Sequence, residues 1–348
     1  MVDSAGSMLI VPMLLAVAVF SWLLTGWVRR YALARSIMDI PNARSSHRIP
    51  TPRGGGVAIV LGFLGCLPLA GALGAVDGNS LLALLPAGAL VAVIGFLDDH
   101  RHIPARWRLL GHFVAALWLL AWLGGAPALA MPWGTLDLGL AGDLLAVVFL
   151  VWLLNLYNFM DGIDGIAGLE AISVCLGGAL CGWFVGEWQL VWLPLILGMA
   201  AAGFLVWNFP PARIFMGDAG SGFLGLILGG LALQAGTVSA PLIWSWLILL
   251  GVFVVDATFT LIHRLMRGER VYEAHRSHAY QRASRRYGSH LRVSLAVAAI
   301  NVLWLMPLAL LVALGHVSGL LALIVAYAPI VLVVAHLGAG RPDEQDVS

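Results

Sequence analysis

Long apolar stretches alternate with short polar gaps along the whole chain. Most of the stretches come close to the ~20 residues that an α-helix needs to cross a hydrocarbon core of ~30 Å. The alternation of every second residue that marks a membrane β-barrel is absent. The pattern predicts about eleven membrane-spanning helices, at residues 8–27, 55–75, 80–97, 108–124, 140–158, 166–186, 189–207, 221–237, 240–262, 292–314 and 317–336.

The predicted fold is an all-α, polytopic membrane helical bundle that forms one domain over residues 1–348, with a disordered tail at 338–348. The chain is 61% hydrophobic and 11% charged, with a mean hydropathy of +0.93, which excludes an ordinary soluble domain. Its three cysteines fall within predicted spans, where they serve as small apolar residues. We expect the lipid bilayer around the protein and no nucleic acid as a partner.

The basic residues lie on one side of the predicted bundle. All 19 are arginine, and they fall in the gaps after odd-numbered helices or at the adjoining helix ends. Since positive residues stay on the cytoplasmic side of a membrane, the N-terminus is predicted outside and the C-terminus inside. Five polar loops then share the cytoplasmic face. Met1–Ser7 holds no basic residue, so an uncleaved first helix is expected.

Asp98 and Asp99 close the third predicted span. Carboxylates at a helix C-terminus oppose the macrodipole, so they need a cation or nearby arginine as compensation. A pair of solvated carboxylates at the helix end is an equally good interpretation of this feature alone.

The fifth predicted span closes with Asn155, Asn158, Asp161 and Asp164. Four oxygen-bearing side chains at a membrane edge suit hydrogen bonding to a nucleobase or sugar, or the binding of a hard cation. A plain turn explains one Asp-Gly pair but not this density.

A glycine-rich stretch, Phe215–Gly222, precedes the eighth predicted span. Backbone N–H groups at such a helix start are donors for phosphate. Asp218 within the stretch indicates a Mg²⁺ ion that bridges carboxylate and phosphate. The alternative is an aspartate N-cap between flexible glycines.

The loop after the ninth span contains His275, Arg276 and His278, with further arginines on both sides. Two histidines without a third ligand favour phosphate binding over a transition metal, and an orientation or lipid-headgroup signal is the alternative. Asp256, inside the ninth span, marks either a functional site or a buried partner of an arginine. Together with the aspartates, these residues supply the components of phosphoryl transfer between a lipid-soluble and a cytoplasmic substrate.

These motifs resemble those of the polyprenyl-phosphate N-acetylhexosamine-1-phosphate transferases, the superfamily of phospho-MurNAc-pentapeptide translocase and the O-antigen-initiating enzymes. The matching pieces follow the family order, at Pro52–Gly56, Gly95–Asp99, Asn155–Gly165, Phe215–Asp218 and His275–His278. The resemblance implies transfer of an N-acetylated amino-sugar 1-phosphate from a UDP-N-acetyl amino sugar to undecaprenyl phosphate. UMP would be released at the cytoplasmic face of the bacterial inner membrane, in the first membrane step of O-antigen or related polysaccharide synthesis.

The resemblance also implies roles for single residues. Mg²⁺, with Mn²⁺ as an alternative, would be bound by Asp218 with Asp98 and Asp99, which are also the implied catalytic residues. Phe215 would stack on uracil, and direct in-line attack by the lipid phosphate is the favoured mechanism. The implied substrate-binding residues are Arg53, Asn155, Asn158, Asp161, Asp164, Phe215, His275, Arg276 and His278.

Two positions depart from the translocase pattern. The translocase has three consecutive histidines where this chain has His-Arg-Ser-His at 275–278, and Arg53 replaces an apolar residue before the glycines. Both departures are nearer to the O-antigen type and argue against MurNAc-pentapeptide, which leaves GlcNAc, FucNAc or QuiNAc open. A homodimer is one oligomeric state open to the protein.

Two other classes compete with this interpretation. A secondary transporter of anionic substrates would place its polar site near the bilayer midplane, whereas the polar residues here gather at one surface. An alcohol phosphatidyltransferase would need an arginine that the Asp164–Gly168 stretch lacks.

Overall fold

The computed structural model describes residues 4–41, 47, 49–101, 103–269 and 275–342. The helices are α1 (Ser4–Ala34), α2 (Val57–Ala72), α3 (Gly78–His100), α4 (Ala105–Leu123), α5 (Gly139–Met160), α6 (Ile166–Val185), α7 (Gln189–Asn208), α8 (Asp218–Val238), α9 (Ala240–Leu249), α10 (Gly251–Met266), α11 (Ala279–Tyr287), α12 (His290–Ile300), α13 (Met306–Ala313) and α14 (Gly319–His336). A π-helical segment, Asn301–Leu305, joins α12 to α13. Two antiparallel strand pairs join β1 (Met38–Asp39) to β2 (Thr51–Pro52) and β3 (Leu129–Met131) to β4 (Gly134–Leu136).

The predicted all-α polytopic fold is confirmed. Among the described residues, eight helices are long and apolar enough to cross a membrane, and the bent pair α9 and α10 makes up to nine. The remaining two predicted spans are helical as well, but α2 has only 16 residues and α4 begins with Arg106 and Arg108. By length and composition the span count is therefore eight to nine, against the eleven expected from apolar runs.

The ninth predicted span is broken, and its two halves meet at an angle of 70°. The break falls between α9 and α10, at Leu250 and Gly251. A Cβ on Gly251 would lie 2.9 Å from the ring of Tyr327, whose hydroxyl donates to the Leu247 carbonyl at 2.6 Å. Tyr327 of α14 therefore fills the space beside the break and satisfies a carbonyl at the end of α9. The sequence of residues 240–262 does not predict the break, because the residues before and after Leu250 are mostly apolar.

Helix α8 forms the centre of the bundle. In an apolar stretch of 18 residues in α8, 89% of the residues are buried inside the protein, compared with 28% in the corresponding stretch of α14. It crosses α5 closely at Gly225, where a Cβ would lie 2.5 Å from the Leu153 carbonyl oxygen. Small residues let membrane helices approach in this way. The core consequently fixes the position of Asp218, the first residue of α8.

The carboxylate of Asp256 in α10 caps a neighbouring helix. It accepts hydrogen bonds from the Ala279 and Tyr280 N–H groups, at 2.9 and 3.0 Å, and from the Thr260 hydroxyl at 3.1 Å. These amides begin α11, so the negative charge faces a helix N-terminus. Its partner is therefore a helix end, where the sequence suggested an arginine or a functional role.

The predicted tail begins with ordered chain. Ala339 is buried, and the Gly340 N–H donates to the Ser277 carbonyl at 2.9 Å. Gly340 thus contacts the loop before α11. The rest of the predicted disordered segment, 343–348, lies outside the described residues.

Candidate active site

The loop before α2 pairs with the loop before α8. The Phe215 N–H donates to the Pro52 carbonyl at 2.8 Å, and the Gly55 N–H returns a bond to the Phe215 carbonyl at 2.9 Å. At Gly56 the two loops touch, since a Cβ there would lie 2.4 Å from the Gly220 Cα. Glycine is required at this crossing because any side chain would separate the loops. Two motifs more than 150 residues apart in sequence thereby become one wall.

Asp99 joins this wall to α3. Its carboxylate accepts hydrogen bonds from the Arg53 guanidinium and from the N–H groups of Asp218 and Ala219, the latter two at 3.1 and 3.4 Å. The side chain of Asp99 is 2% exposed, so the charge is satisfied inside the protein. Gly95, one turn earlier, allows the approach, because a Cβ there would lie 2.5 Å from the Asp218 carbonyl oxygen.

Asp98 points to a second arginine. Its carboxylate accepts from the Arg108 guanidinium and from the Ile103 N–H, the latter at 2.8 Å. Arg108 also lies 3.6 Å from a carboxylate oxygen of Asp218. Asp98 and Asp99 therefore face different partners, as expected for adjacent positions on a helix, and Arg108 bridges Asp98 to Asp218.

A polar cavity of about 220 Å³ opens beside these carboxylates. It brings together six residues predicted as site members, from three separate segments of the chain. They are Arg53, Asn158, Asp161, Asp164, Phe215 and Asp218. These three segments therefore meet at one cavity.

Asp161 and Asp164 lie in the turn after α5 but differ in their surroundings. Burial raises the pKa of Asp161 well above its usual range, and the nearby carboxylates of Asp218, Asp164 and Asp99 add to the rise. Burial alone would also raise the pKa of Asp164. The hydrogen bond from His290 and that from the Ala212 N–H, at 3.0 Å, outweigh burial and lower this pKa.

A larger cavity of about 790 Å³ adjoins the polar one. Both are lined by His47, Asp164, Phe215 and His290. The larger cavity continues between the 210–212 loop and the turn from α11 to α12. The site therefore has room for a substrate much longer than its carboxylate centre.

Known proteins are similar to this chain over most of its length. The profile of glycosyl transferase family 4 matches residues 81–236. The decaprenyl-phosphate N-acetylglucosaminephosphotransferase of Mycobacterium tuberculosis is 31% identical over 318 residues, which cover 81% of this chain and 78% of that protein. The chain belongs to glycosyl transferase family 4. The phospho-N-acetylmuramoyl-pentapeptide-transferase of Geobacillus thermodenitrificans is 29% identical over 277 residues, covering 74% of this chain and 83% of that protein.

In this family 4 protein, Asn155 lies one turn before the cavity. Its side-chain amide donates to the Val151 carbonyl of its own helix at 2.7 Å. The residue lines a smaller cavity of about 40 Å³ together with Asp98, Arg108 and Asp218. Asn155 thus borders the carboxylate centre through this second cavity.

The predicted histidine pair does not line either main cavity. His278 is buried, with its Nδ1 3.4 Å from the Asp256 carboxylate. His275 lies against it, with 4.8 Å between ring centroids, and its Nδ1 is 2.9 Å from the Ser277 hydroxyl. Arg276 accepts hydrogen bonds at its carbonyl from Arg285. The predicted contact of these residues with diphosphate stays a prediction.

Sequence reasoning missed several residues of the family 4 site. His290 lies 3.2 Å from the Asp164 carboxylate, and the His47 ring meets Phe215 with 4.8 Å between centroids. Asp39 and Gln281 line the same cavity. Each is an isolated polar residue without a spacing signal, so only the fold reveals it.

Tyr280 explains one glycine of the Asp-Gly motif. Its hydroxyl donates to the Phe159 carbonyl at 2.8 Å and passes so close to Gly162 that a Cβ would lie 2.2 Å from the oxygen. Helix α11 is therefore docked directly on the turn that holds Asp161 and Asp164. A larger residue at 162 would lift it away.

Proposed function

We propose that the protein transfers an N-acetylated amino-sugar 1-phosphate from a UDP-sugar to undecaprenyl phosphate and releases UMP. The observation that carries the proposal is the convergence of Asp98, Asp218 and Asp161 with Arg53 and Arg108 at one end of an apolar bundle. Phosphoryl transfer depends on positioning and on electrostatic compensation of phosphate charge, which this set supplies. The named relatives act on polyprenyl phosphates or on the MurNAc-pentapeptide substrate.

Mg²⁺ is the proposed cofactor, with Mn²⁺ as the alternative. Among the described residues, no group of three or more His, Cys, Asp or Glu side chains is arranged as a metal site. Mg²⁺ is usually held by one or two carboxylates together with substrate phosphate oxygens. Asp98 and Asp218, the two carboxylates that Arg108 bridges, meet that requirement. The Asp218 carboxylate, one of those that raise the pKa of Asp161, also supplies negative charge for a cation to balance. When bound, the ion would neutralise charge on the diphosphate.

Asp99 is proposed to have a structural role, unlike Asp98 and Asp218. Because its oxygens accept from Arg53 and two backbone amides, we assign it to positioning the start of α8, in place of the metal contact suggested by the sequence. Arg53 is held at the cavity wall by the same contact. Burial would lower the pKa of Arg53, but Asp99 with Asp218 and Asp39 outweighs it and raises this pKa, which keeps the guanidinium charged beside the leaving UMP.

The proposed reaction is a direct in-line displacement. An oxygen of the lipid phosphate attacks the phosphorus that carries the sugar, the bond from this phosphorus to the bridging oxygen breaks, and UMP departs with that oxygen. The lipid phosphate is already anionic at neutral pH and needs no base. Phe215 is proposed to stack on uracil, with Asn158 and Asp164 on the nucleotide side of the cavity.

The arginine bias of the loops supports a cytoplasmic face for this site. The proposed location in a bacterial inner membrane is based on the similarity to bacterial relatives. The sugar is proposed to be GlcNAc or a related amino sugar, and a role in O-antigen synthesis remains the prediction that the departures at Arg53 and 275–278 favour. A transporter is less suitable because the carboxylates gather at one end of the bundle.

The test is a turnover assay. Purified protein is given undecaprenyl phosphate, Mg²⁺ and a panel of UDP-N-acetyl sugars, and UMP release is followed with EDTA-treated protein as the metal control. We expect UMP release with at least one sugar and loss of release in EDTA. No release with any sugar would refute the proposed reaction, and release unaffected by EDTA would refute the cofactor.

A further inference from the structure

An apolar groove lies on the far side of α11 from the active site. Its cavity measures about 920 Å³ and runs between α10, α12 and α14. Val252, Val297 and Ile330 are among its apolar walls. Its basic residues, Arg292 and His336, lie at the start of α12 and the end of α14. These two helix ends both lie at the end of the bundle that carries the active site, since His290 touches Asp164 and Arg282 of α11 touches Leu337.

A pocket of about 300 Å³ adjoins the groove at that end. Its lining consists of Arg282, Arg285, Arg286, His336, Leu337, Gly338 and Arg341. Arg282 donates to the Leu337 carbonyl at 2.8 Å and to the Arg341 carbonyl at 3.2 Å, which ties α11 to the end of α14. No carboxylate lines the pocket among the residues that the structure describes. Four guanidinium groups therefore surround a small polar space.

His336 and Leu337 line both the groove and the arginine pocket. An apolar space buried between membrane helices is thus continuous with a positively charged space at the membrane edge. A molecule that fits both has an aliphatic chain joined to an anionic headgroup. Basic pockets between membrane helices are known to suit such lipids.

The acceptor of the transfer reaction does not fit this position. Helix α11 lies between the two spaces: Gln281 lines the active-site cavity, whereas Arg282 and Arg286 line the arginine pocket. Arg285 lines both this pocket and the larger cavity beside the site. A phosphate held by Arg282 and Arg286 would lie in a pocket whose lining contains neither Asp98 nor Asp218. The groove and pocket consequently point to a lipid that stays in place.

We propose that the groove and the arginine pocket together bind an anionic phospholipid as a resident structural ligand. Its acyl chain lies between α12 and α14, and its phosphate lies among Arg282, Arg286 and Arg341. The lipid would hold α11 against the end of α14 and so support the wall of the active site.

The test measures phospholipid retained by the full-length protein. Wild type is assembled in nanodiscs of phosphatidylglycerol and phosphatidylcholine in equal amounts, then released and analysed by native mass spectrometry. The double variant Arg286→Gln and Arg341→Gln is compared with a double variant of equal charge, Arg30→Gln and Arg35→Gln, at the end of α1 outside both cavities. We expect phosphatidylglycerol retention to fall at least about fivefold in the first variant and to stay unchanged in the second.

A second pair of variants tests whether the groove binds the acyl chain, without changing the charge of the arginine pocket. Ala296 lines the groove, whereas Ala299 on the same helix does not. We expect Ala296→Trp to lose phosphatidylglycerol while inorganic phosphate still protects the protein thermally, and Ala299→Trp to retain the lipid. Equal retention by wild type and the Arg286/Arg341 variant would overturn the proposal.

Other occupants give different outcomes. If Ala296→Trp changes the oligomeric state in light scattering and leaves the lipid content unchanged, the groove is an interface between copies and the proposal is wrong. Displacement of phosphatidylglycerol by equimolar undecaprenyl phosphate would also overturn it, because the site would then belong to the acceptor. None of these readouts depends on turnover, so a failed transfer assay leaves the result interpretable.

Discussion

The two walls of the active-site cavity balance their carboxylates in different ways. On the arginine wall, Asp98 and Asp99 are each bonded to a guanidinium and to backbone amides. On the aspartate wall, Asp161 faces mainly other carboxylates, and Asp164 is held by His290 and an amide. The first wall is complete before any substrate binds and defines the shape of the site. The second contains Asp161, whose ionisation is opposed by burial and by the neighbouring carboxylates, so a cation bound at Asp218 beside it would favour the charged form of Asp161.

The largest effect is expected where the two walls meet. Asp218→Asn removes a charge proposed to bind Mg²⁺ with little change in shape, so UMP release should fall at least about 100-fold. Asp137→Asn, an exposed position outside the site, is the matched control and should keep full activity. A Asp218→Asn variant with near wild-type turnover would remove Asp218 from the proposed mechanism.

Loss of a carboxylate from the arginine wall should damage folding. Asp99→Ala leaves Arg53 and two amides without their buried acceptor, so we expect a loss of about 3 kcal/mol. Thermal unfolding in detergent measures the loss. The double variant Arg53→Met and Asp99→Leu should recover part of it, and no recovery would show that the amide bonds dominate.

The contact between α3 and α8 should tolerate no side chain at its centre. Gly95→Ala places a Cβ 2.5 Å from the Asp218 carbonyl oxygen, and such overpacking costs about 1–3 kcal/mol. Turnover should fall as well because Asp218 shifts. Gly65→Ala in α2, with open space around its Cβ, is the control, and equal melting points for the two variants would contradict the close contact.

The aspartate wall should show a distinctive dependence on pH. Because the pKa of Asp161 is raised, its proton stabilises the fold at low pH, and that stability is lost as pH rises through the raised pKa. In metal-free buffer the melting temperature of wild type should therefore fall with rising pH. Asp161→Asn should flatten this slope, and identical slopes would assign the effect to another group.

The smallest effect is expected at Asp164. Its lowered pKa means that the stability contributed by its charge is present above the unfolded value, ~3.9, and is lost as pH falls through the folded pKa. Asp164→Asn should flatten this acid side of the melting curve and cost less than about 1 kcal/mol at neutral pH. A loss of stability comparable to that of Asp99→Ala would contradict this, and would show that Asp164 is as important for folding as the carboxylates of the arginine wall.

Apolar run length was enough to locate most helices. It divided 166–207 correctly, because Gly186 ends α6 in a left-handed conformation (φ +83°) and α7 begins at Gln189. It gave no sign of the break at Leu250 or of the π-helical segment Asn301–Leu305, which depend on contacts with distant helices. The two predicted spans at α2 and α4 are helical but fall outside the eight to nine described helices that are long and apolar enough to cross a membrane.

For the site, motif spacing identified the carboxylates but not their partners. Asp98, Asp161 and Asp218 were all predicted, because clustered aspartates at span ends are rare without a purpose. The glycines of the motifs were interpreted as turns or phosphate donors. At Gly56 and Gly95 they serve instead for close backbone contact, which is a property of the assembled bundle and has no signature in a single segment.

The hydrogen bond between Gly340 and Ser277 affects where a fusion or probe can be attached to the protein. It joins the last described turn of the chain to the loop that starts α11, and α11 in turn rests on the Asp161–Asp164 turn through Tyr280. We expect a fusion or tag attached shortly after Arg341 to disturb the contact between Gly340 and Ser277, whereas one attached before α1 would leave it unchanged. Purification handles on this protein therefore belong before α1, and a spectroscopic probe placed near Arg341 would report on the position of α11.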